Sequence, residues 1–180
     1  MQLKQNLELK HHCEDFQPVR EILREIGAVK EVVKKQKDYF FDLPVVKKKS
    51  NGRMKLRVEG RKMALIYYER PDFSAGKEVV AAVSFLEANL QTLEFLGTSL
   101  GIIAVVEKKR EVWRKDNVVF NLDDVTSIGG IFEIELQKQG KITDKDRSLF
   151  SSYQKTLLPY LGNIVKGSNV DLVIKATKTK

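Results

Sequence analysis

In four separated segments of this 180-residue chain, charged side chains recur at every second position, and that periodicity limits the fold more than any other feature. Residues at i, i+2 and i+4 share one face of a β-strand. The segment Leu3-Lys4-Gln5-Asn6-Leu7-Glu8-Leu9-Lys10 puts Asn6, Glu8 and Lys10 on one face, and Ile131-Phe132-Glu133-Ile134-Glu135 repeats the spacing with two carboxylates. Arg53-Met54-Lys55-Leu56-Arg57 and Glu107-Lys108-Lys109-Arg110 are the cationic counterparts. For any one segment the ordinary explanation is a half-exposed sheet with a solvated face. Four segments together argue for more, because solvated faces usually mix signs within a strand whereas here acids and bases are sorted. Arg53, Lys55 and Arg57 would repel one another unless an anion or facing carboxylates neutralised them. The arrangement suggests a lined cavity for a metal-bound polyanion.

The remaining patterns supply the scaffold. Asp15 is placed to cap a helix from Phe16 to Ile26, with Pro18 in its first turn and Gly27 at its end. Ser84 and Glu87 read as a capping box opening a second helix closed by Gly97. A last helix is expected from near Thr143, carrying Leu149, Phe150, Tyr153, Leu157 and Tyr160. Strands are expected at 30–41, 53–59, 62–70, 77–83, 102–114, 118–122 and 131–137 in addition to the N-terminal one. About eight strands with short turns indicate an α+β protein built on an antiparallel sheet that closes or curls.

Composition narrows the function classes. With 42% hydrophobic and 31% charged residues, the chain has the profile of one globular domain spanning 1–180. No apolar run reaches membrane-spanning length, the first residues lack a secretory pattern, and the single Cys13 cannot form an internal disulfide, so the expected compartment is the cytoplasm. A formal net charge of +8 calls for an anionic partner. Bases that alternate with apolar neighbours inside strands favour an internal site over nucleic-acid binding, and no membrane partner is expected. Lys47-Lys48-Lys49 reads as a solvated turn, and His11-His12-Cys13 as a strand end, since adjacent residues on an extended chain point in opposite directions.

An ordered series of motifs resembles the CYTH superfamily of triphosphate tunnel metalloenzymes, and within it class IV adenylyl cyclases. Asn6-Leu7-Glu8-Leu9-Lys10 is similar to the ExExK signature, and Gln36-Lys37-Asp38-Tyr39-Phe40-Phe41 to the QxDxYF strand. Arg53 to Arg57, Leu65 to Asp72, Val106 to Arg110 and Leu122 to Glu135 match further strands of the family, with Ser168-Asn169-Val170-Asp171-Leu172 as a weaker C-terminal element.

The resemblance implies an eight-stranded antiparallel β-barrel, a triphosphate tunnel with flanking helices. It also implies Mg2+ or Mn2+ held by Glu8, Glu133 and Glu135, with Asp123 as a further ligand or orienter. Lys10, Arg53, Lys55, Arg57, Lys108 and Arg110 are the implied triphosphate ligands, joined by Arg70 and Lys77, and Lys10 and Arg57 are the candidate catalytic residues. The implied substrate is ATP or another triphosphate, and a homodimer is compatible with the family. Conversion of ATP to cyclic AMP and pyrophosphate is the first expectation. Hydrolysis of tripolyphosphate or of an organic triphosphate such as thiamine triphosphate is the second, and a phosphate-binding module without turnover the third. The chain departs from the family pattern at Asn6, which replaces a glutamate, and at Ile131, which replaces a phenylalanine.

Overall fold

The computed structural model describes residues 2–49, 51–69, 78–138 and 140–178, with side chains from residue 7 in the first strand and from 83 in the fifth. The elements follow one another as β1 (Gln2–His12), α1 (Phe16–Glu25), β2 (Val29–Phe41), α2 (Val45–Lys49), β3 (Gly52–Glu59), β4 (Lys62–Glu69), β5 (Glu78–Glu87) and α3 (Leu90–Leu100). Then come β6 (Ile102–Lys115), β7 (Val118–Val125), β8 (Gly129–Lys138), α4 (Asp144–Leu157), a 3-10 turn (Leu158–Tyr160) and α5 (Asn169–Lys178). All strand pairs are antiparallel, and the order β1-β5-β4-β3-β2-β6-β7-β8 returns to β1 through the β1–β8 ladder, closing a barrel. Closure leaves no open edge of unpaired backbone groups.

The period-two pattern explains why the larger core lies outside this barrel. On β1, β7 and β8 the positions between the charged ones are apolar, so Leu7, Leu9, Phe120, Leu122, Phe132, Ile134 and Leu136 form the outer wall and are buried. Helices α1 and α4 cover that wall with Val19, Leu23, Phe150, Tyr153 and Leu157. Tyr153 meets Phe120 edge-on, with ring centroids 5.5 Å apart. The helix α1 starts as expected: the Asp15 side chain accepts from Gln17 N, and Gly27 at φ +79° carries the chain out of it. A second, smaller cluster of Phe40, Val106, Val125, Ile131, Val165 and Val170 lies on the inner strand face beneath α5, where Phe40, Val106 and Val170 also line the cavity, so Ile131 is a packing residue. Among the described residues no helix is long and apolar enough to cross a membrane.

Three local expectations are corrected. Ser84 and Glu87 do not cap a helix. They sit in β5, opposite Tyr67 and Ala64 of β4, where pairing with the barrel outweighs an isolated capping signal. The capping box forms instead between Asn89 and Thr92, and the helix it opens runs through Gly97 to a terminus at Gly101, φ +81°. The lysine run 47–49 is one helical turn rather than an open turn, held by Lys48–Asp42 at 2.5 Å and Lys47–Glu69 at 3.6 Å. The C-terminal segment expected only as a weak motif forms α5.

Candidate active site

Strand register turns the alternating charges into two ion clusters inside the barrel. Asp38 of β2 stands opposite Arg57 of β3, and Arg110 of β6 opposite Asp123 of β7. Asp38 accepts from Lys55 Nζ, Arg57 Nε and Arg57 Nη2, each at 2.7 Å. Asp123 accepts from Lys108 Nζ at 2.8 Å, from Arg110 Nε and Nη2 at 2.5 and 2.6 Å, and from Asn169 Nδ2 at 3.3 Å. The two aspartates are 3% and 0% exposed. Each is a buried anion that fixes one lysine and one arginine in a set orientation, and the planar guanidinium fork makes that orientation specific.

A carboxylate pole adjoins these clusters. Lys10 lies opposite Glu133 and Glu8 opposite Glu135 in the β1–β8 ladder. Lys10 Nζ bridges Glu8 at 2.5 Å and Glu133 at 3.2 Å, while Arg110 Nη2 reaches Glu133 at 3.0 Å. Burial, reinforced by the Glu133 and Glu8 carboxylates, pushes the Glu135 carboxyl up to about 7. Among the described residues no three His, Cys, Asp or Glu side chains already stand close enough to hold a metal ion. The donor set is nevertheless of the hard-oxygen kind that divalent magnesium or manganese takes.

The cations share one cavity of about 180 Å3 lined by Lys10, Lys55, Arg57, Lys108 and Arg110 together with Glu8, Asp38 and Glu133. Packing cations this closely shows in their protonation. Burial pushes Lys55 down to about 7, helped by Arg57 and Lys108 and opposed by Asp38. Burial likewise lowers Lys108 to about 8, with Arg110 adding to the effect. Asp38 moves well below the usual carboxylate range: burial raises it, and the hydrogen bond from Arg57 with the charge of Lys55 more than offsets this. Asp123 is held at about 2 by Arg110 and Lys108 against the opposing effect of burial.

The structure thus brings together Glu8, Lys10, Lys55, Arg57, Lys108, Arg110, Asp123 and Glu133 from the sequence-based set, with Glu135 beside them. Asp123 lies behind the cations, with its oxygens occupied by them, in the position of an orienter. Arg53 is engaged elsewhere: its Nη2 meets both Asp171 oxygens at 3.0 Å and its Nη1 meets the Ser168 hydroxyl. Arg70, Lys77 and the side chain of Asn6 lie outside the described residues. Sequence reasoning gave no role to Asp38, although it shares strand parity with Gln36 and Phe40. It also missed Tyr68, Ser168, Asn169 and Val170, which line the cavity. No sequence period links α5 to the barrel; only the folded structure places its first turn there.

A closed antiparallel barrel with a cation-lined interior and one acidic pole defines a class of anion-holding tunnels. The chain belongs to the CYTH domain family, whose model matches residues 4–159. Its barrel is similar to that of the PH1012 protein of Pyrococcus horikoshii (18% identity, TM-score 0.76, covering 93% of this chain and 99% of that one). A provisional adenylate cyclase from Vibrio parahaemolyticus is similar at 14% identity and TM-score 0.67, covering 95% and 98%. The Hippeastrum protein HpAC1, described as having a dominant triphosphatase activity, is similar at 16% identity and TM-score 0.68, covering 97% and 96%. No curated protein matches the sequence.

Proposed function

We propose that the barrel holds the phosphate chain of a triphosphate and that the protein is a divalent-metal-dependent enzyme acting on it. The observation that carries this reading is the single cavity of about 180 Å3 into which Lys10, Lys55, Arg57, Lys108 and Arg110 converge, with Asp38 and Asp123 fixing four of them from behind. Asp38 and Asp123 are two carboxylates for the four cations they hold, and Glu8 and Glu133, which pair with Lys10 and Arg110, are the groups a divalent ion would engage, so a bound metal frees positive charge for the phosphates. A polyanion supplies the missing charge. Arg57 and Arg110 would hold phosphate oxygens bidentately, and Lys55 and Lys108 would act as point charges between them. Lys10 and Arg57 are the groups placed to stabilise charge that develops on the reacting phosphate.

Glu8, Glu133 and Glu135 fit a hard divalent ion by donor type and by the mutual repulsion that raises Glu135. Binding it requires Lys10 to give up its bridge between Glu8 and Glu133 and turn toward the phosphates. When bound, Mg2+ or Mn2+ would withdraw charge from the phosphate chain. Asn6, in place of a glutamate, removes one negative charge from the family pattern, so metal affinity is expected to be modest.

Cavity size bears on the reaction. About 180 Å3 lined mostly by ions suits a phosphate chain, whereas sites that enclose a drug-sized organic molecule usually run from about 300 Å3 upward. This supports hydrolysis of an inorganic triphosphate as the favoured reaction. An organic triphosphate, hydrolysed or cyclised, requires its organic part to sit outside the described cavity, and cyclisation of ATP, supported by the motif series, is the second reading. Incubation with ATP and with tripolyphosphate, each with magnesium or manganese, separates them: orthophosphate marks the hydrolase, cyclic AMP with pyrophosphate the cyclase, and binding without product a module that does not turn over.

A further inference from the structure

Strands β2 and β6 carry cations on both faces, and only the inner face is explained by the tunnel. On the outer wall Lys35 stands directly opposite Lys109, two residues along each strand from the Lys37–Glu107 pair. Both lysines are exposed. Neighbouring cations find carboxylates: Lys37 meets Glu107 at 2.6 Å, Lys34 meets Glu59 at 2.9 Å, Lys30 meets Glu111 at 3.3 Å and Arg114 meets Glu31 at 2.6 Å. Among the described residues Lys35 and Lys109 make no ion pair, although Asp124 stands directly opposite Lys109 in the β6–β7 ladder. Like charges directly opposite on adjacent strands oppose pairing.

This pair lies in a groove of about 320 Å3, lined also by Lys37, Val58, Gly60, Thr126 and Glu107, the last already paired with Lys37, and by Lys108, which also lines the tunnel. Gly60, at φ +60°, has nothing within 4 Å of where a Cβ would stand, so the groove is open at the β3–β4 turn. We propose that this outer groove is a second anion site, on the other side of the barrel wall from the tunnel, that takes a small phosphate-bearing ligand between Lys35 and Lys109. The groove is of small-ligand size. Val58 and the lysine stems give it an apolar wall, and the ammonium groups supply the charge. A nucleic-acid strand fits less well, because it needs an extended basic stripe and Glu107 and Asp124 interrupt this one.

The test is a calorimetric titration with inorganic tripolyphosphate of the wild-type chain, of a Lys35→Ala/Lys109→Ala variant and of Arg57→Ala. The wild type is expected to show two sites per chain. In the double variant the weaker site should lose roughly tenfold or more in affinity while the tighter one keeps its own, since only the weaker site loses charge-assisted contacts. Arg57→Ala should do the reverse. Without added anion the double variant should melt at the same temperature as wild type or higher, because a repulsive pair is gone, and this confirms that it folds. A single wild-type site, or a double variant with both sites intact, would overturn the assignment. So would a short single-stranded oligonucleotide that binds more tightly than tripolyphosphate and is released by the same two substitutions. Loss at Arg57→Ala without loss at Lys35 and Lys109 leaves the tunnel reading standing alone, and the opposite result leaves the groove alone.

Discussion

Asp38 shows how a single residue can control the site without touching the ligand. Its two oxygens fix Lys55 and Arg57, and nothing else among the described residues binds those two side chains at hydrogen-bond distance. Asp38→Asn should therefore weaken tripolyphosphate binding by roughly tenfold, through loss of orientation and of charge-assisted contacts. A calorimetric Kd checks this, and an unchanged value would remove Asp38 from the positioning role. The lysines make a second prediction. Burial brings Lys55 down to about 7 and Lys108 down to about 8, so both are partly neutral in mildly alkaline solution. A bound polyanion favours their charged forms and raises both, so binding takes up protons and affinity falls as pH rises through those values. Titrations near pH 8 in buffers of different ionisation enthalpy should report more proton uptake for wild type than for a Lys55→Met/Lys108→Met variant, a comparison that cancels the ligand's own ionisation, and equal values would contradict the burial of these cations. The chemistry of these positions was legible in the sequence, because strand parity alone groups Glu8 with Lys10 and Lys55 with Arg57. The partner of each was not, since Asp38–Arg57 and Arg110–Asp123 depend on a register that no local pattern encodes.

Elements were legible where a local signal and the barrel agree. Asp15 and Gly27 bound α1 in both readings, and Thr143 caps α4 through its reciprocal box with Asp146. The signals diverged at Ser84 and Glu87, where a valid capping pattern lost to a strand ladder, and the helix began five residues later than the apolar run suggested. Helix α5 was missed as an element because its anchors are distant: Arg53 on β3 and Asp123 on β7 hold its first turn. Helix α1 has a comparable long-range anchor. Arg20 grips Glu111 of β6 through two hydrogen bonds at 3.1 and 2.8 Å, and Trp113 and Lys30 complete the shell. Burial would raise Glu111, but the hydrogen bonds from Arg20 and Lys30 hold it at about 2. A depressed carboxylate stabilises the fold above its unfolded value of about 4.3 and loses that contribution as pH falls toward the folded value. Glu111→Gln should accordingly lower the melting temperature at neutral pH and flatten its fall on acidification. A variant whose melting temperature drops as steeply with acid as wild type would show that this contact does not tie α1 to the barrel.

At the scale of the molecule, the larger apolar core and the candidate site occupy opposite faces of the same strands. The apolar core, from Leu9 and Phe120 to Leu23 and Phe150, lies between the barrel wall and the helices, leaving the interior free to be lined with ions. That division follows directly from the period-two alternation, which is why the barrel was legible before the structure was. The reaction was less so, because cleavage of a terminal phosphate and cyclisation of a nucleotide use the same cation set. The most direct test of the account is calorimetric binding of tripolyphosphate to Arg57→Ala and Arg110→Ala, compared with a variant in which Lys47, Lys48 and Lys49 are all alanine. The tunnel variants should each lose on the order of 1.5–3 kcal/mol of binding free energy at the tight site, and the surface variant close to none. Equal losses in the two groups would contradict the account, placing the triphosphate on the outside of the barrel rather than within it.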